Sequence, residues 1–230
     1  MKEAYIINKK ELLKNAIIKF SAGVIGTGLI LFVSAGTFAW WNAWVFMAVL
    51  FLPITALGIA LFLKEPALLE KRLEMKETEL EQKLVIKISS ILMLIGFILP
   101  GIDFRFGWSH VPLAVVIVSF FLVLLGYGIF AYVLKTNAYA SRTVNIQDNQ
   151  KLIDYGPYKI VRHPMYTATI LIFVISPLAL GSWFGFIVML FYPLLLKIRI
   201  ESEEKVLISG LKGYSDYKKV VKWRLIPYVW

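Results

Sequence analysis

A chain of 230 residues that is 59% hydrophobic and carries a net charge of +10, with a mean hydropathy of +0.71, is not composed like a soluble domain, whose surface at that apolar content would aggregate. The absence of cysteine excludes disulfides, thiol catalysis and cysteine-ligated metals. The basic residues are spread over four segments that abut apolar runs and form no compact module, so the charge points away from nucleic acid.

Lys2, Lys9, Lys10, Lys14 and Lys19 precede the first apolar run, residues 20–41. A span needs about 20 apolar residues in a helix. This run has that length and a second, 44–63, follows at once, so the first helix is expected to persist as a membrane anchor rather than as a cleaved signal. In the charged segment 64–83, Glu70, Glu74, Glu77 and Glu81 interleave with Lys71, Arg72, Lys76 and Lys83 at helical spacing, which predicts an exposed or interfacial helix held by salt bridges. Runs 84–100 and 111–134 supply the third and fourth spans. The connection between them holds only Arg105 near Gly107, with His110 beside Trp108 as an interfacial belt residue. Residues 1–134 thus read as four membrane helices with one charged loop.

Residues 135–230 are denser in polar and aromatic groups and read as the region that carries chemistry. Their apolar run, 167–196, exceeds one span, and Pro177 with Gly181-Ser182 marks a turn in its middle. A tight hairpin of two short or tilted helices follows, giving six crossings, or five if the hairpin only dips into the bilayer. The expected fold is an all-α polytopic transmembrane bundle of five to six spans, in contact with membrane lipids. Lys135, Arg142, Lys151, Lys159 and Arg162 follow the fourth run, and Lys197, Arg199, Lys205, Lys212, Lys218, Lys219, Lys222 and Arg224 occupy the tail, whereas the alternate connections are nearly free of basic residues. The positive-inside bias then predicts a multi-pass cell-membrane protein with both termini cytoplasmic.

Two polar clusters flank the hairpin. In Tyr155-Gly156-Pro157-Tyr158 the Gly-Pro pair sets a turn. In Arg162-His163-Pro164-Met165-Tyr166, Pro164 can open a helix and leaves His163 at its positive end, where free N–H groups suit an anion. An interfacial anchor, with Arg snorkelling and Tyr in the aromatic belt, explains the same residues equally well. After the hairpin come Arg199, Glu201, Glu203 and Glu204; Arg199 and Glu203 share a helix face, while Glu201 and Glu204 also read as a solvated cap with intrahelical ion pairs. If the hairpin doubles back, the two clusters meet in one cytoplasmic pocket. No dinucleotide fingerprint, phosphate loop, HExxH motif or serine elbow occurs, and no metal site is expected.

The order QKLI, GPY, RHPMY, short hairpin, RIESEE and GYSDYKKVVKWRLIP, over residues 142–228, resembles the isoprenylcysteine carboxyl methyltransferase family, which belongs with the membrane phospholipid methyltransferases. The resemblance implies an integral membrane methyltransferase that uses S-adenosyl-L-methionine without a Rossmann domain and acts on a lipophilic or prenylated acceptor entering from the bilayer. It further implies cofactor contacts from Gln150, Lys151, Leu152 and Ile153, largely through backbone, and from Tyr158, His163, Pro164, Met165, Tyr166 and Glu203. Arg199 would face the acceptor, and Arg199 and Glu203 would be the catalytic pair.

The chemistry is compatible: Glu203 can pair with the cofactor's cationic end, and Arg162 and His163 can meet an anion. A displacement at an activated methyl carbon needs alignment in a dry site more than a protein nucleophile. A carboxylate acceptor would be held by Arg199 without a base; an amine, as in phosphatidylethanolamine N-methylation, would need Glu203 or Glu204 to take its proton. A sterol-reductase-like NADPH enzyme is the alternative within a related architecture. A small transporter or scaffold is the non-enzymatic one, although the spans hold only Lys87 as a charge.

Overall fold

The computed structural model describes residues 8–73, 80–140, 146 and 149–230. Lys2, Glu74, Lys76, Glu77 and Arg142 lie outside the described residues, as does the side chain of Glu81. The described chain is helical without strands: α1 Lys9–Ala35, α2 Trp41–Lys64, α3 Pro66–Leu73, α4 Leu80–Phe106, α5 Leu113–Thr136, α6 Pro164–Phe173, α7 Ser176–Ala179, α8 Trp183–Met189, α9 Tyr192–Gly210 and α10 Tyr214–Val220. Five stretches are long and apolar enough to cross a membrane, namely Lys9–Ala35, Trp41–Lys64, Gln82–Phe106, Leu113–Thr136 and Trp183–Gly210. A shorter apolar stretch, Pro164–Ala179, forms the first arm of the expected hairpin. The protein is an all-α polytopic membrane bundle.

Three boundaries differ from the hydropathy reading. First, α1 starts at Lys9 because Asn8 caps it, its Oδ1 accepting the Glu11 N–H at 3.3 Å; the lysine stems can lie along lipid with their heads in water. Second, the turn into α2 falls before Trp41, not after it. Gly36 takes φ +68° and its N–H closes on the Phe32 and Val33 carbonyls, the left-handed helix stop that glycine accepts without strain. Third, α4 continues through Pro100 to Phe106. A proline inside a membrane helix is tolerated where neighbours pack around it, and here Pro100 packs so tightly on α8 that a Cβ at Gly185 would fall 2.8 Å from its ring.

That extension carries Asp103 into a buried position at the end of the bundle remote from the two polar clusters. Asp103 accepts the Ser109 N–H at 2.7 Å and the Ser109 hydroxyl at 2.6 Å, and also the hydroxyl of Ser182. Ser182 itself caps α8 by accepting the Gly185 N–H at 3.0 Å. The hairpin tip, where Gly181 has φ +86°, is thereby tied to α4 and to the α4–α5 connection. Asn42 of α2 adds an amide bond to the Ala179 carbonyl at 3.2 Å.

Within lipid, helices are held by close packing more than by water expulsion. One close approach is that of α5 to α6, where a Cβ at Gly126 would lie 2.8 Å from Ile172 Cγ1 and 3.0 Å from the Ala168 carbonyl oxygen. Gly126→Val is therefore expected to force α6 off α5 and to cost about 1–3 kcal/mol, read as a lower melting temperature in detergent; an unchanged melt would show that the two helices separate freely. The charged segment 64–83 follows its expected form only in part. Helix α3 is there, but Leu68 and Leu69 are buried, and Arg72 turns inward, its guanidinium 5.0 Å from the Phe130 ring centre and 3.4 Å from Met165 Sδ.

Candidate functional site

Beyond α5, a 3₁₀ turn over Gly156–Lys159 is shaped by Gly156 at φ +61°, where a Cβ would meet Thr136 at 3.1 Å. His163 then takes the N-cap position and Pro164 the first position of α6, as a proline fixed near helical φ favours. The hairpin returns the chain as α9, and past α10 the tail runs back along this turn. Its Trp223 and Arg224 carbonyls accept the N–H groups of Arg162 and His163, each at 2.9 Å, and its Leu225 carbonyl accepts the Thr167 hydroxyl at 2.8 Å.

Glu204 holds these three pieces together. It is 2% exposed; Oε1 accepts from Arg162 Nε at 2.7 Å and lies 3.3 Å from His163 Nε2. Its Oε2 accepts from Arg224 Nη2 at 3.0 Å, with Lys218 Nζ at 3.7 Å. The reading of Glu204 as a solvated cap is thus corrected: one step along α9 from Glu203, it faces inward, where three cations offset its desolvation. Glu201 stays near the surface, 4.0 Å from Arg224. Arg162 is corrected with it. Its Nη1 donates to the Val221 and Lys222 carbonyls at 2.8 Å, so the anion it meets is the chain's own Glu204 and its donors organise the tail.

Beside this knot lies a cavity into which every residue expected at a cofactor site is gathered. Gln150, Lys151, Leu152 and Ile153 form one side, Tyr158 and the run His163, Pro164, Met165 and Tyr166 another, and Glu203 a third. Arg199 is not on its wall; it stands one residue behind, donating from Nε to the Tyr166 hydroxyl at 3.0 Å and from Nη1 to Gln82 Oε1 at 3.0 Å. The Tyr166 hydroxyl in turn donates to Glu203 Oε2 at 2.7 Å. A continuous chain of polar contacts thus links Gln82 on α4, Arg199 on α9, Tyr166 on α6 and Glu203 at the cavity.

Several residues of the site carry no distinguishing mark in the sequence. Asn137 donates to the Tyr158 hydroxyl at 2.8 Å, leaving the phenolic proton free to point elsewhere. Burial pushes that phenol up to about 12, opposed by the Asn137 bond, with Glu203 raising it and Arg72 lowering it, so it remains a donor at neutral pH. Tyr217 donates to the Tyr158 carbonyl at 2.6 Å and locks α10 onto the turn. Tyr214 lines the cavity with a buried hydroxyl that has no partner among the described residues, and burial also holds its phenol protonated. Both tyrosines lie in the GYSDY stretch, whose spacing marks a helix but not which face it buries.

Residues 115–209 match the model of the isoprenylcysteine carboxyl methyltransferase (ICMT) family. The matched stretch takes in α5 to α9, and with them the RHPMY turn and the Arg199 to Glu204 cluster; α1 to α4, α10 and the tail lie outside it. No curated protein matches the chain in sequence. The family match and the bundle of apolar helices together support a membrane methyltransferase.

Proposed function

We propose that the chain transfers a methyl group from S-adenosyl-L-methionine to a lipophilic acceptor, the carboxyl group of an isoprenylcysteine-like molecule, in a cavity facing the cytoplasm. The observation that carries this reading is the shared wall: His163, Met165 and Tyr166 meet Glu203 at one cavity, although Tyr166 and Glu203 are 37 residues apart in sequence. The cytoplasmic side follows from the basic segments that cluster at this end.

The cavity suits that cofactor. It combines aromatic and aliphatic surface from Leu152, Leu207, Tyr214 and Tyr217, an orphaned buried hydroxyl on Tyr214, and a carboxylate on Glu203. A nucleoside needs the first two, and a sulfonium and an ammonium favour the third. Residues 150–153, Tyr158, Tyr214 and Glu203 would hold it. When bound, it supplies an electrophilic methyl carbon with a good leaving sulfur.

The rest is work for this chain's own groups. Tyr166 fixes the Glu203 carboxylate on one side and the Arg199 guanidinium on the other, so a positive fork stands a fixed step from the negative charge. A carboxylate acceptor is already ionised at neutral pH and requires only orientation by Arg199, which its planar fork provides. The buried His163 and Pro164 keep water from that side. Amine methylation would need a base to take up a proton, and Glu204 is occupied by Arg162, His163 and Arg224, which leaves Glu203 alone for the task.

Calorimetry on the detergent-purified protein tests this. S-adenosylhomocysteine is expected to bind saturably, with NADPH giving no heat, and Glu203→Ala to weaken binding about 10- to 100-fold through loss of a charge-assisted contact. Binding of NADPH alone would end the methyltransferase reading. Label transfer to a farnesyl-cysteine analogue rather than to phosphatidylethanolamine would support the carboxyl acceptor.

A further inference from the structure

We propose that Gln82 touches the methyl acceptor and makes the site selective for an anionic oxygen; the inference rests on the methyltransferase reading above. Gln82 belongs to the amino-terminal half, outside the stretch that matches the family, and falls in the charged segment 64–83 that reads as an exposed or interfacial helix. In the structure it is fully buried, at 0% exposure.

Its amide is only half used. Oε1 accepts from Arg199 Nη1 at 3.0 Å, while Nε2, buried as well, has no partner among the described residues. An amide offers two N–H donors there, and leaving both unmade in a buried place is costly and rare in native proteins. A leucine would fill the volume without that cost. The two ends of one amide are about 2.2 Å apart, so the orphaned donor necessarily lies beside the guanidinium.

Two donor groups from two helices therefore stand side by side, one cationic and one neutral, at the end of the contact chain that leads through Tyr166 to Glu203. Two adjacent donors complement the two oxygens of a carboxylate. An ammonium or amine head would meet a cation and a donor, and the one acceptor of the pair, Gln82 Oε1, is already engaged by Arg199. Gln82 is accordingly a specificity-determining residue: Oε1 fixes the Arg199 fork and Nε2 completes recognition of the acceptor's oxygen.

The test measures binding, not turnover. Detergent-purified full-length wild type, Gln82→Glu and Gln82→Met are titrated with S-adenosylhomocysteine, then, saturated with it, with N-acetyl-S-farnesylcysteine and with its methyl ester. Gln82→Glu places a carboxylate against Arg199 and should weaken the acid about tenfold or more, leave the uncharged ester within about twofold, and leave S-adenosylhomocysteine unchanged. Gln82→Met, which removes the donor without adding charge, should weaken the acid by a smaller factor in the same direction. Equal weakening of acid and ester would make Gln82 merely structural and overturn the inference. So would variants that bind the acid like wild type, or a wild type that binds S-adenosylhomocysteine but not the acid. A wild type that binds no S-adenosylhomocysteine would instead remove the methyltransferase reading, and this inference with it.

Discussion

Glu204→Ala is expected to lower the stability of the protein by about 3–5 kcal/mol, a fall on the order of 10 °C in melting temperature for a chain of this size, and to abolish S-adenosylhomocysteine binding. The cause is what remains behind. The Arg162 side chain is only 5% exposed and would be left buried without its carboxylate. Its other donors hold the Val221 and Lys222 carbonyls, so the tail that packs on His163 would loosen with it. Removing one member of a buried ion pair costs more than replacing the pair by apolar residues. The double variant Arg162→Met with Glu204→Leu should therefore recover a good part of the lost melting temperature. Melting followed by size-exclusion chromatography in detergent reads both; a Glu204→Ala protein that melts like wild type would show that the knot does not organise this end.

Arg199→Lys is expected to cut kcat/KM for a carboxylate acceptor about 10²- to 10³-fold, the loss seen when one oriented donor to a reacting oxyanion is removed. The affinity for S-adenosylhomocysteine should stay near wild type, because Arg199 is not on the cavity wall. The guanidinium spans two partners, the Tyr166 hydroxyl from Nε and the Gln82 amide from Nη1. An ammonium is a point on a flexible stem and cannot reach both with a fixed orientation. Acceptor kinetics beside cofactor calorimetry separate the outcomes. A lysine variant with activity within tenfold of wild type would show that position, not the fork, is sufficient.

Much of the bundle could be read from hydropathy because span-length apolar runs have few other uses. The boundaries could not. Trp40 and Trp41 are as apolar as the spans they join, so the stop at Gly36 is hidden in a continuous greasy stretch. Pro100 looks like a terminator in water, yet in the bundle it is packed against Gly185 and α4 runs past it. The site divides in the same way. Gly-Pro and His-Pro announce turns by their backbone chemistry, and both turns are present. Glu203 and Glu204, by contrast, are chemically identical neighbours that differ by about 100° around α9. Which one faces the cavity and which the knot is decided by the path of a tail that arrives later in the chain. Gln82 and Arg72 were obscured for a related reason: polar residues in a charged segment look solvated until tertiary packing covers them.

The stretch Pro164–Ala179, which leads to the Ser182 turn fastened to Asp103, is about 24 Å long at helical rise, whereas the hydrocarbon layer is about 30 Å thick. With the hairpin tip at the outer boundary of that layer, as the proposed reading has it, Tyr166 and Arg199 lie at a depth where acyl chains, and not headgroups, surround the protein. On the proposed reading, a molecule with a greasy tail needs no desorption to be modified. It slides sideways into the reaction chamber with its tail still among the lipids, and the protein spends none of its binding energy on pulling that tail into water.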